Sequence, residues 1–497
     1  MSTLPAPGLS PHGRRAIVAA ALLATWLQAV NISLPNAAVR HIGGALSMTD
    51  DEIGWIFSAY IAASAVTMPL TRWLAGWFGR KTLFQGSLLV FAAGLWLATR
   101  ADTPLQLVGA RIVQGAASGP LAPLSLAILL DMLPPEQHAR IGLASTVTVL
   151  AGILSGPGIG GWLSEHYGWR ALFYPSLPLV GLILLVMAIR LPEKKAGQPV
   201  PFDLFGFATF SLGVVGLQMF LDRGERIEWF ASTESRIEAA ASALGFWLFL
   251  VHILTTKRHF LDKALLRDRN FVLSTAMFFA FGFVLLPTVA LTSPMLEELL
   301  GYPADTTGYM TIPRSLALVG ALILVSRAKP QIDDRLLVLV SMGLIVYANW
   351  RMLGYSPLMD WWPVVAAGML QGIGLGMLMP ALSRTAFSTL APALRPEGTA
   401  LFNLARLYGG TIGIAVVQFY FYYNTQAVHL ALAQNITPHR LTGHAGPGLA
   451  VLNEMITGQA ALIAVIGQFK LLMLVMLAAS PLALLLRSPR PVRGTAK

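Results

Sequence analysis

The chain has 497 residues, of which 55% are hydrophobic and 12% charged, with a mean hydropathy of +0.64. Soluble domains are about a quarter charged, so a water-soluble globule is excluded. Zero cysteines exclude disulfides, thiol catalysis and cysteine metal sites, and the formal charge of +11 is dispersed over loops, which argues against a nucleic-acid surface.

About 20 apolar residues cross a bilayer as a helix. Such runs fall near 16–36, 53–75, 82–100, 104–133, 141–163, 169–191, 204–222, 236–256, 271–296, 306–326, 335–353, 361–390, 397–423 and 467–487. The expected fold class is therefore an all-α polytopic membrane protein of 14 spans. The run after "MSTLPAPGLSPHGRR" is too long for a signal peptide and reads as a retained anchor. With the N-terminus inside, twenty-one basic residues fall in inner loops and tails against eight outside. That bias predicts cytoplasmic termini on both sides of the chain.

In the first span, "ATWLQAVNISLPNAA" places Gln28, Asn31 and Pro35 on one helix face, a polar stripe turned to the bundle. Trp26 either lines a cavity beside that stripe or packs in the core. "TDDE" (49–52) reads as a capping box opening the second span, which carries Tyr60. The following loop is "RWLAGWFGRK", with Arg72, Gly76, Gly79, Arg80 and Lys81. In the fourth span Arg111, Gln114, Gly115 and Ser118 share one face. An intramembrane arginine costs about 2.5–3.5 kcal/mol unless it snorkels or finds partners. Arg111 is expected to face the interior, as a cavity member, as a clamp between helices one and four, or as both. Asp131 closes this span.

The fifth span holds "GILSGPGIGG", with Gly152, Gly156, Pro157, Gly160 and Gly161. Small residues let backbones approach, and the proline frees a carbonyl and bends the helix. His252, in the eighth span, is expected to lie outside any transport core. Arg314 follows Pro313 near the outer end of the tenth span, where snorkelling is the plain reading. In the thirteenth, Asn403, Arg406, Gly410 and Gly413 form another stripe. The stretch 424–466 is expected to be a mostly irregular outer loop in which His429, His439 and His444 are solvated. None of the 24 acids falls convincingly mid-bilayer; Asp131, Glu297 and Glu298 come nearest.

"VQGAASGPLAPLS" (113–125) matches "LQGIGLGMLMPAL" (370–382) at an offset of 257, pairing Gln114 with Gln371, Gly115 with Gly372 and Gly119 with Gly376. Both copies end the fourth span of a six-span block once the seventh and eighth spans are set aside. Parallel six-helix repeats are a transporter architecture.

Taken together, "NISLP" (31–35), "RIVQG" (111–115), "GILSGPGIGG" (152–161), "FDLFGFATFSLGVVGLQMFLDRGERIEWFAS" (202–232) and "NLARLYGGTIGIA" (403–415) resemble the major facilitator superfamily. The likeness is to its fourteen-span drug:proton antiporter branch of the Emr/Qac type, and it covers nearly the whole chain. It implies the major facilitator fold, with an N-terminal six-helix half (1–191), two inserted helices (192–262) and a C-terminal half (263–497). It implies export from a bacterial inner membrane by alternating access, with Gly152, Gly156, Pro157, Gly160, Gly161, Gly410 and Gly413 as packing and gating positions. The expected cavity set is Trp26, Gln28, Asn31, Tyr60, Arg111, Gln114, Gln371, Asn403 and Arg406. Substrates would be amphipathic or aromatic small molecules, with protons as the candidate coupling ion. A periplasmic adaptor and an outer-membrane channel are the candidate protein partners. No cofactor, metal, nucleic acid or enzymatic reaction is expected. The alternative is an uncoupled facilitator or organic-anion exchanger; a membrane sensor is more distant, for want of a signalling domain.

Two positions depart from the family pattern. The branch usually carries an acid five residues before the signature asparagine; here that position is Trp26. In the loop after helix two, Arg72 replaces a glycine and Gly76 replaces an acid, which leaves Asp131 to partner Arg72 or Arg80. Buried cations without a central acid favour anionic or neutral substrates over lipophilic cations.

Overall fold

The computed structural model describes residues 11–48, 50–134, 137–192, 202–224, 230, 232–256, 263–327, 333–357, 359–391, 394–434 and 447–487. All regular structure among them is helical, and fourteen helices are long and apolar enough to cross a bilayer. We number the long helices α1 Pro11–Ser33, α2 Asp50–Thr67, α3 Arg80–Thr99, α4 Pro104–Met132, α5 His138–Tyr167, α6 Ser176–Arg190 and α7 Leu204–Arg223. The remainder are α8 Thr233–Thr255, α9 Arg269–Pro294, α10 Ala304–Arg327, α11 Asp334–Met352, α12 Trp361–Ser388, α13 Arg395–Gln434 and α14 Pro447–Ala479.

Short polar side chains start many of these helices. Thr103 accepts from the Gln106 amide ahead of Pro104, and Asp203, Ser232, Asp268, Asp333 and Asp360 cap α7, α8, α9, α11 and α12. Each satisfies an amide that no helical carbonyl reaches. Thr49 of the expected capping box lies outside the described residues.

The chain divides into two compact units, Met1–Lys263 and Ala264–Lys497. In the first, α1 packs on α4, α5 and α6, α2 on α4, and α3 on α4 and α6. In the second, α9 packs on α12, α13 and α14, α10 on α12, and α11 on α12 and α14. The two sets match span for span. The repeat read from "VQGAASGPLAPLS" therefore extends to the pairing of whole helices. The inserted α7 and α8 pack on each other, and α7 rests on α2, within the first unit.

The region 424–466 differs from expectation. Residues up to Gln434 continue α13 and residues from Pro447 belong to α14, while 435–446, with His439 and His444, lie outside the described residues. "NTQAVHLALAQ" contains no glycine or proline, so nothing in it stops a helix once packing has begun. His429 is accordingly a helical residue, with Nε2 3.2 Å from the Asn453 side-chain oxygen on α14.

Candidate functional site

Arg111 and Gln114 of α4, Asn31 of α1 and Gln371 of α12 have no exposed surface. The Arg111 guanidinium is the hub of the first unit. Nε donates to the Ile56 carbonyl at 2.9 Å, Nη1 to Gln114 Oε1 at 2.7 Å and Nη2 to the Asn31 carbonyl at 3.0 Å. The Tyr60 ring lies 4.3 Å from the guanidinium carbon, and the Tyr60 hydroxyl donates to the Gln28 carbonyl at 3.1 Å. Gln114 passes the connection on, donating to the Gly94 carbonyl of α3 at 2.9 Å. One arginine thus ties α1, α2, α3 and α4.

The Asn31 carbonyl is free for this purpose because the residue four along is Pro35, which has no N–H. The Asn31 amide faces elsewhere, donating to the Leu27 carbonyl at 2.8 Å and to Ser176 Oγ of α6 at 3.3 Å. Arg111, Gln114 and the Asn31 amide are therefore engaged in ties between helices in this conformation, while Asn31 Oδ1 is buried with no partner among the described residues. Gln28 and Tyr60 are buried as well. Trp26, Asn403 and Arg406 keep partial exposure. Asn403 bonds only within its own helix, to the Thr399 carbonyl at 2.9 Å.

The proline of α5 repeats the pattern. Pro157 cannot bond the Ile153 carbonyl, and the Ser33 hydroxyl of α1 takes its place at 2.7 Å. Around it, a Cβ added at Gly152 would meet the Trp26 carbonyl, one at Gly156 the Ser33 hydroxyl, and one at Gly160 the Leu34 carbonyl. Gly161 instead accepts the Ser164 hydroxyl through its carbonyl, at 3.0 Å. The second unit uses the same device between α9 and α13, where Gly410 lies on the Leu286 side chain and Gly413 on Phe283 and Pro287.

The two units differ in where they carry charge. Gly115 lies on the Tyr60 carbonyl and Gly119 on the Ser64 carbonyl; Gly372 lies on the Arg314 carbonyl and Gly376 on the Leu318 carbonyl. Arg314 therefore stands where the first unit has Tyr60. At the repeat offset, the partner of Arg111 is Gly368. The Arg314 side chain lies along that glycine, its Cβ 3.5 Å from where a Gly368 Cβ would be. Arg314 does not snorkel: it is 7% exposed, because the missing side chain at Gly368 leaves a groove that it fills. Nε and Nη2 have no hydrogen-bond partner among the described residues. Nearby, Gln371 donates to Thr288 Oγ1 and Asn349 Oδ1, both at 3.3 Å, while its own Oε1 is unpartnered. Tyr355, between α11 and α12, lines the same recess. Burial raises its phenol above the usual tyrosine range, with Arg314 opposing, so it is a neutral hydroxyl at physiological pH.

Of the two partners expected for Asp131, Arg80 pairs with it. The Arg72 side chain lies outside the described set. Gly79 takes φ 78°, a turn that suits glycine, just after the short helix Thr71–Phe78 containing Gly76. Lys81 donates to the Ala188 carbonyl at 3.1 Å. The second unit holds a counterpart of reversed polarity, missed in the sequence because Arg384 sits inside an apolar run. Asp334 opens α11 as Arg80 opens α3, and Arg384 Nη2 reaches it at 2.6 Å from the C-terminal part of α12. The Arg80–Asp131 pair is 47% and 28% exposed, so it is worth no more than about 1 kcal/mol. Arg80→Asp and Asp131→Arg should each slow transport severalfold, and the double exchange should recover most of the rate in a whole-cell assay at equal expression.

His252 is more tightly held than expected. Its Nε2 lies 2.8 and 2.9 Å from the two oxygens of Asp203, the residue that caps α7, and Thr256 Oγ1 lies 3.2 Å from Nδ1. This pair clasps α7 to α8, and no periodicity could announce a bond across 49 positions.

Comparison with known proteins agrees with this architecture. Multidrug export protein EmrB of Haemophilus influenzae is 30% identical over 426 residues, 84% of this chain and 82% of its own. Fatty acid resistance protein FarB of Neisseria gonorrhoeae is 29% identical over 456 residues, 89% of this chain and 90% of its own. The crystal structure of the human organic anion transporter MFSD10 (TETRAN) is similar with a TM-score of 0.57 at 15% identity, over 94% of this chain and all of that one, a likeness of fold. The family model of the Major Facilitator Superfamily matches residues 21–414. With paired helical units, a proline-and-glycine contact in each and a match over that length, the chain belongs to the Major Facilitator Superfamily.

Proposed function

We propose that this protein is a secondary active exporter of amphipathic or aromatic small molecules, driven by protons and working by alternating access in a bacterial inner membrane. What carries the reading is the likeness, across 84% of this chain and 82% of the relative, to a protein named for multidrug export. The close contact of α5 on α1 supports it, since backbones packed without intervening side chains can rock as a unit. The test is efflux of a fluorescent aromatic dye from proteoliposomes under an imposed pH gradient. Gradient-stimulated efflux is expected; transport indifferent to the gradient would overturn the proton coupling.

One observation favours a second reading, an uncoupled facilitator or exchanger. Asp131, Glu165 and Glu238 lie within the first or last two turns of α4, α5 and α8, away from mid-bilayer, where proton carriers usually sit. The same gradient experiment separates the two. A periplasmic adaptor and outer-membrane channel remain partners proposed from the family, to be sought by co-purification. Both termini are proposed to be cytoplasmic, on the inner excess of basic residues. The chain lacks cysteine, so Arg440→Cys offers a single reporter thiol. It should react with an impermeant maleimide in intact spheroplasts; reaction only after permeabilisation would reverse the topology.

A further inference from the structure

We propose that the recess around Arg314 in the second unit is an oxyanion site, seating the carboxylate of an amphipathic organic acid. This rests on the export reading above and names the class of compound that the C-terminal unit recognises.

The two buried arginines differ in what their nitrogens meet. In Arg111, Nε and Nη2 are filled by the Ile56 and Asn31 carbonyls. In Arg314, the same two nitrogens have no partner. Nε–H and the adjacent Nη2–H point side by side from one edge of the planar guanidinium, two parallel donors at the spacing of two carboxylate oxygens. The first unit spends this edge on backbone, half of it made available by Pro35. The second unit leaves it buried and unbonded among the described residues.

An unbonded edge on a buried cation calls for an anion. A 7% exposed guanidinium has little water to solvate it, and no described carboxylate bonds its free nitrogens. Counted with the open space at its mouth, the recess measures about 330 Å³, and its enclosed part is far smaller. Its other walls suit the rest of such a ligand. Met295, Met310, Met352 and Phe469 offer an apolar, adaptable surface, and the Tyr355 hydroxyl adds a neutral polar group beside the charge. The lining threonines Thr288, Thr292 and Thr311 already donate to carbonyls of their own helices, at 2.7, 2.6 and 2.9 Å. The guanidinium is thus left to fix the orientation of the head group. Gly368 lines the recess and gives the Arg314 stem room to lie along α12.

Benzoate and benzamide test the site, because they share a shape and differ in charge. Binding of each is measured by calorimetry on the full chain in nanodiscs at neutral pH. The wild type should bind benzoate at least tenfold more tightly than benzamide. Arg314→Gln should erase that difference, and Arg314→Lys should keep only part of it, since an ammonium lacks the two-donor edge. Gly368→Leu, which crowds the recess and the Arg314 stem while keeping the guanidinium, should weaken both ligands. Arg170→Gln, in the first unit, should retain the benzoate preference. Equal binding of the two compounds by the wild type, or a preference that survives in Arg314→Gln, would overturn the proposal. Should Arg314→Gln fail to give a monodisperse protein, the wild-type comparison and Gly368→Leu decide alone. Dye efflux measured on the same preparations keeps the two readings apart. Efflux with no charge preference in binding sinks the site alone, and an Arg314-dependent preference without efflux sinks the export reading alone.

Discussion

Arg111→Ala is expected to abolish transport in a protein that still inserts in the membrane. The side chain makes three hydrogen bonds, to Ile56, Gln114 and Asn31, and none of these partners can turn to water, because the site is fully buried. Each orphaned buried group costs about 1–3 kcal/mol. The Asn31 carbonyl is the most exposed to this loss, since Pro35 denies it a helical donor. Three such losses amount to several kcal/mol, against a total stability of about 5–15 kcal/mol for an ordinary domain. The ties among α1, α2, α3 and α4 would slacken while the apolar spans keep the chain in the bilayer. Arg111→Lys should be intermediate, because one ammonium cannot face the α1 and α2 carbonyls and Gln114 in one plane. The measurement is efflux at matched expression, with the thermal midpoint of the purified protein as a second readout. Normal transport and an unchanged midpoint in Arg111→Ala would show that the hub is dispensable.

Gly160→Ala should have an effect of similar size, and Gly158→Ala almost none. Both glycines lie on α5, two positions apart. A Cβ at Gly160 would fall on the Leu34 carbonyl oxygen of α1, whereas one at Gly158 would meet nothing within 4 Å. Backbone cannot move aside as a flexible side chain can, so α5 must shift away from α1. Overpacking of this kind costs about 1–3 kcal/mol. The shift would also pull Ser33 from the Ile153 carbonyl that Pro157 leaves open, now bonded at 2.7 Å. Transport should fall at least tenfold in Gly160→Ala and stay near wild type in Gly158→Ala, in the same vesicles. Equal behaviour of the two variants would mean that the α1–α5 contact is not what the glycine pattern serves.

Much of this could be read before any coordinates. Long apolar runs specify membrane helices because an unpaired backbone in lipid is too costly, and that constraint is local to each run. The failures came where the constraint relaxes. Residues 424–434 and 447–466 are polar enough to suggest a loop, yet they continue α13 and α14. The first holds no glycine or proline, and in the second Pro447 and Gly448 stand at the helix start and Gly458 is tolerated inside it, so polarity alone does not end a helix. The repeat at offset 257 was legible because glycines and a glutamine recur in register. Its meaning, a matching set of helix pairs in each unit, was not.

The sequence by itself determined the membrane class, the fourteen spans, the buried position of Arg111 and the close packing of Gly152, Gly156 and Gly160 in α5, since each follows from local composition or helical period. Only the tertiary structure decided what the polar groups do. Arg111 and Arg314 look alike as intramembrane arginines, but one has its Nε–Nη2 edge filled by two carbonyls and the other has it empty. Arg80 pairs with Asp131, Arg384 found Asp334, and His252 met Asp203. A long side chain takes its partner from whichever neighbouring backbone or side chain the packing brings within about 3 Å. That neighbour is 50 or more residues away for most of these contacts, on a helix whose identity no local pattern records.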